Sequence, residues 1–145
     1  MAQVNTVAAF GERDGEKVER LLDKAQEFLG LAKAISPNNP ELLVQQATIH
    51  TACTAFDGAT YGMTLSGKVA ALYAEALQRT PDNHRVVFSK AEWDMGTATY
   101  FGKDTAPYCA DVARSLELFA TFKPESVFHP NWGKVMAEAV MAECK

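Results

Sequence analysis

Pro37, Pro81 and Pro124 stand 44 and then 43 residues apart, and each closes a stretch with the spacing of an amphipathic helix. Twelve, eight and five residues before each proline the same ladder recurs. It reads Ala25, Leu29, Ala32; then Val69, Tyr73, Ala76; then Val112, Leu116, Phe119. Such offsets place three side chains on one helical face, and the proline then stops the helix. A repeated unit of this kind leaves a hydrophobic face that its neighbour covers. The expected product is a helical array with a binding surface.

The chain has 145 residues, which predicts one domain over 1–145. With 48% apolar and 22% charged residues it reads as an ordinary globular chain rather than a disordered one. No apolar run approaches the roughly 20 residues of a membrane-spanning helix. The formal charge of −4 disfavours nucleic acid, which asks for a basic face. Residues 1–6 carry no signal-peptide pattern, so the expected compartment is cytoplasmic as written, or periplasmic or exported if a leader has been removed.

Seven helices are predicted. They cover about Val4–Phe10, Glu16–Ile35, a third begun by Asn39-Pro40-Glu41 and ending near Phe56, and a fourth ending near Arg79. The remaining three cover about His84–Met95, Pro107–Phe122 and Asn131 to the C-terminus. Asn39 before Pro40 is a cap followed by proline at the first helical position. The glycine-spaced stretches Asp57–Thr64 and Gly96–Ala106 are predicted as loops. No segment alternates with period two, so the class expected is all-α.

Three cysteines are too few for a disulfide scaffold, and no Cys-x-x-Cys occurs. If the last two helices form an antiparallel hairpin, Cys109 and Cys144 fall at the same end and a bridge is open to them. Two half-buried thiols are the preferred reading, because cysteine behaves as a small hydrophobe. Cys53 stays unpaired either way.

Helix pairs with small residues and a closing proline resemble tetratricopeptide repeats, whose unit is about 34 residues. The two glycine-containing loops account for the longer spacing. The chain also resembles a narrower group of small bacterial tetratricopeptide-like proteins of unassigned function. That likeness rests on Pro37-Asn38-Asn39-Pro40, Pro81-Asp82-Asn83, Tyr100-Phe101-Gly102-Lys103 and His129-Pro130-Asn131-Trp132-Gly133. It implies a right-handed array of helical hairpins, an α-solenoid.

In such arrays the first helix of each pair lines a concave groove. The groove positions here are Glu41, Val44, Gln45 and Thr48, then Arg85, Phe88, Ser89 and Glu92. Glu41 and Glu92 would repel a carboxylate, which argues against a clamp for a chain terminus. The function expected is a non-catalytic scaffold holding a protein or peptide on Gln45, Thr48, Arg85, Ser89 and Glu92. The alternative is a small-molecule pocket under the glycine loops, walled by Tyr61, Tyr100 and Phe101. A third expectation is self-association, as a homodimer, through Phe88 or the edge of the first helix. Asn131 is read as a helix cap and Trp132 as a cover for the last apolar face.

No cofactor or metal is expected, since His50, His84 and His129 are scattered without ligand spacing. There is no nucleophile elbow and no phosphate-cradling glycine loop, so no enzyme is expected.

Overall fold

The computed structural model describes residues 1–144. Its helices are α1 (Ala2–Gly11), α2 (Gly15–Ile35), α3 (Pro40–Phe56), α4 (Gly58–Arg79), α5 (His84–Tyr100), α6 (Cys109–Thr121) and α7 (Lys134–Glu143). A 3-10 turn at Ala106–Tyr108 precedes α6, and the described residues contain no strand. The all-α expectation holds, with seven α-helices among the described residues. The chain divides into two compact units, one over Met1–Arg79 and one beginning at Thr80.

Asparagine and aspartate set where the helices begin. Asp14 accepts from the Glu16 and Lys17 amides at 3.1 and 3.4 Å, opening α2. Asn39 accepts from Glu41 at 2.9 Å, and Asn83 from Arg85 and Val86 at 3.0 and 3.2 Å. Each satisfies amides that the first helical turn leaves without an internal acceptor. The Pro-Asn-Asn and Pro-Asp-Asn turns therefore work in two steps: proline ends one helix and the last asparagine starts the next.

In the first unit Ala9, Val18, Leu22, Ala25, Leu29, Ile49 and Ala52 form one core cluster. Ala25, Leu29, Val69, Tyr73 and Ala76, all from the repeated ladder, are buried. Small residues at the crossings let helix axes approach, and the larger ones fill the space between. Truncating Leu29, which is wholly buried, is expected to cost about 2–5 kcal/mol.

In the second unit Val86, Val87, Phe88, Ala91, Val112 and Ala137 are buried. Arg114 pins α6 to the turn before α5, donating to the Pro81 carbonyl at 3.0 Å and to Asp82 at 2.8 Å.

Three local expectations are corrected. The stretch Asp57–Thr64 is helix, not loop: α4 begins at Gly58. Asp57 caps it through the Thr60 amide at 3.0 Å, and packing against α3 outweighs the ~1 kcal/mol that each interior glycine costs. Likewise α5 runs on past Gly96 to Tyr100. It stops at Gly102, φ +64°, where the Gly102 and Lys103 amides return to Thr99 and Ala98 in a Schellman turn. Finally, α7 begins after Gly133 rather than at Asn131, and no side chain caps it.

Cys109 and Cys144 form a disulfide, with their Cα atoms 5.9 Å apart. This is the alternative that composition had disfavoured; the hairpin of α6 and α7 brings the start of one helix to the end of the other. Cys53 remains a free, half-buried thiol whose pKa burial raises.

Candidate functional site

Within the second unit the chain leaving α6 at Phe122 returns over the N-terminal end of α5 before α7 begins. Arg85 lies beneath it, 1% exposed. Its guanidinium donates to the Pro130 carbonyl at 2.8 Å and approaches His129 Nε2 at 3.1 Å. It also faces the rings of Phe122 and Trp132, each centroid 5.7 Å from Cζ. A buried guanidinium is costly unless hydrogen-bonded and set against polarisable faces, and here both conditions are met. Because arginine only donates, His129 Nε2 accepts, and the ring carries its proton on Nδ1.

Aromatic rings continue outward from this knot. His84, also buried, has Phe119 at 4.4 Å and Phe122 at 4.2 Å between ring centroids, and Phe122 lies 5.0 Å from His129. The returning segment needs Gly133, whose φ is +107°, to make its final bend.

Against these rings opens a cleft of about 310 Å³. Its walls include His84, Phe119, Phe122 and His129, with Arg85 and Lys134 supplying positive charge. Val127 stands at its edge, and Val127 and Phe128 are more than nine-tenths exposed. Apolar faces with a few convergent polar groups suit a flat, largely apolar ligand bearing an anionic group. A second cleft of about 330 Å³, in the first unit, is lined by Ala9, Phe10, Glu12, Arg13, Ala52, Ala55 and Phe56. It offers no imidazole.

The residues singled out from the sequence are scattered by comparison. Gln45 and Thr48 sit half-buried on α3. Gln45 donates to Thr6 at 3.0 Å, and the Thr48 hydroxyl returns to its own helix at Val44. Arg85 and Ser89 are buried, while Glu92 is exposed. Tyr61 lies within α4. Tyr100 and Phe101 meet edge to face at 5.1 Å, at the exposed end of α5, and neither lines a described cleft. The sequence reading passes over His84, Phe119 and Phe122 as site residues, and it assigns the His129–Gly133 stretch to capping rather than to ligand binding. The signal available was the crowding of rings and prolines between Phe119 and Trp132, which reads equally well as packing.

No family model matches the chain, and no curated protein matches it. Among solved structures it matches the HusA haemophore from Porphyromonas gingivalis with a TM-score of 0.83 and 22% sequence identity. The match covers 99% of this chain and 71% of that one.

The likeness is one of fold.

It corrects the tetratricopeptide assignment. The ladder before each proline records how small and large residues alternate wherever helices pack as hairpins, and that chemistry is not peculiar to one repeat family. The protein- or peptide-binding scaffold is corrected with it. The chain follows a haemophore almost end to end, and Arg85, the one cation expected in the groove, lies buried under residues 129–132.

Proposed function

We propose that this chain is a non-catalytic carrier of a small, flat, apolar molecule, and that haem is that molecule. The observation that carries the reading is the fold shared with a haemophore over 99% of the chain. The chemistry of the Arg85 cleft supports it. A haem brings a flat ring for aromatic faces and carboxylates for cations.

Phe119, Phe122 and Val127 would hold the ring. Arg85 and Lys134 would set a positive potential for the carboxylates, and the His129 ring, its Nε2 engaged by Arg85, would add one more flat face at the cleft's edge. At about 310 Å³ the cleft stands near the lower bound for ligand pockets of roughly 300 Å³. It would therefore clasp an edge of the ring, leaving the rest against exposed Val127 and Phe128. The Cys109–Cys144 bridge supports an exported protein working in an oxidising compartment.

The test is a haem titration followed by the Soret band and by tryptophan fluorescence. Expected is saturation at one haem per chain, with a dissociation constant on the order of 1 µM or tighter. Phe122→Ala and His129→Ala should each weaken binding about tenfold, or 1.4 kcal/mol. Absorbance that follows haem in buffer alone, or affinity untouched by both substitutions, would sink the proposal.

A further inference from the structure

The cleft of the first unit opens where α1 and α3 end beside the turn into α2. Its volume of about 330 Å³ falls within the range of small-molecule sites. Ala9 of α1 and Ala52 and Ala55 of α3 bring only methyl groups to its lining, which leaves the space unfilled. Phe10, near the end of α1, and Phe56, the last residue of α3, bring aromatic rings. Both residues stay nearly half exposed, at 48% and 43%.

The lining is held in place by its own contacts. Glu12 Oε1 accepts from the Arg13 and Asp14 amides at 2.8 and 3.0 Å, and Oε2 lies 4.0 Å from Lys17 Nζ. A Cβ on Gly15 would stand 3.2 Å from Phe56 Cζ, so the ring rests against the start of α2. A bonded turn and a seated ring give a preformed cleft, which spares a ligand the cost of ordering it. Arg13 is the cation of this lining. The Glu12 carboxylate serves the turn's amides and Lys17, and among the described residues the exposed Arg13 guanidinium has no ion pair.

The geometry points to a small-molecule site in this cleft, for a single-ring aromatic carboxylate. A flat ring over the alanine methyls would cover Phe10 and Phe56, whose apolar surface is otherwise left to water. Its carboxylate would meet the Arg13 guanidinium, whose planar fork offers two parallel N–H donors to such a group. A cleft this near the roughly 300 Å³ lower bound for ligand pockets encloses one ring. The site rests on its own contacts and stands independently of the cargo of the second unit.

The probes are benzoate, benzamide and acetate, each titrated into the full chain at about pH 7 and constant ionic strength. The methyl resonances of Ala9, Ala52 and Ala55 are followed by NMR, the last assigned by its loss in Ala55→Leu. Expected with benzoate is a saturating shift with a dissociation constant on the order of millimolar. Benzamide keeps the ring without the charge and acetate the charge without the ring, so each should bind at least about tenfold more weakly. Arg13→Gln, an exposed change in a turn, should weaken benzoate to the same extent. Ala55→Leu, also exposed, fills the cleft and should do likewise, read at Ala9 and Ala52. Phe122→Ala, in the second unit, should leave benzoate binding unchanged. A shift that never saturates, that benzamide or acetate matches, that survives Arg13→Gln or Ala55→Leu, or that falls with Phe122→Ala overturns the site.

Discussion

Gly133 lies so close to Phe119 that a Cβ on the glycine would sit 2.8 Å from the ring's Cζ. The same glycine has φ +107°, so its lack of a side chain answers two demands at once. Gly133→Ala should cost at least about 1–3 kcal/mol from backbone strain, with the displacement of Phe119 added to that. Thermal melting would show the loss of stability. Near-UV circular dichroism should show a loosened Trp132, and haem affinity should fall with it.

Arg85 ties residues 129 and 130 to α5 by two contacts and lies between two aromatic faces. Arg85→Met keeps much of the volume but leaves the Pro130 carbonyl and His129 without their donor. A loss of about 1–3 kcal/mol is expected for each buried acceptor left without its donor. Hydrogen exchange should quicken in the segment between α6 and α7. Arg85→Lys should recover only part of the loss, because one ammonium does not reproduce the guanidinium's planar fork.

The Cys109–Cys144 bridge spans 35 residues of sequence. By the chain-entropy account, closing such a loop is worth about 4 kcal/mol. A Cys144→Ser chain should melt earlier than the oxidised parent, and the parent in reductant should melt with it. Coincident melting of oxidised and reduced parent would show that the bridge contributes nothing.

The His50 pKa is lowered by burial first, then by Lys68 and Lys33. The unfolded chain therefore takes up the proton before the folded one does. This group's contribution to stability is fully present above the unfolded value of about 6.5 and is lost as pH falls below it. Between pH 7.5 and 5 the parent should lose more stability than His50→Gln, as read by denaturant unfolding at each pH. Parallel curves for the two chains would refute this.

The helix boundaries that side chains enforce are legible in the sequence. Asp14, Asn39 and Asn83 cap where their spacing to the following helix says they should, and Pro37 and Pro81 end what precedes them. The buried ladder Ala25, Leu29, Val69, Tyr73, Ala76 is equally legible, since helical periodicity alone identifies the inward face. Glycine misleads at residues 58 and 62. Its helix penalty is small beside the packing of a whole hairpin, and packing is not visible in a local window. Asn131 misleads for the opposite reason: it has the chemistry of a cap but not the position, because the turn is completed only at Gly133.

The sequence by itself determined the all-helical class, the caps and the inward faces, because these depend on residues within a turn or two of one another. Only the tertiary structure decided the cleft. His84 and Arg85 begin one helix, Phe119 and Phe122 end another, and His129 to Gly133 lie beyond it. Their meeting depends on where the segment after α6 crosses α5. The same holds for Gln26 and Lys33 of α2 and Gln46 and His50 of α3, whose polar groups the packing of the two helices brings together. Contacts between residues 20 to 45 positions apart rest on helix packing and loop closure, and neither leaves a periodic trace in the chain.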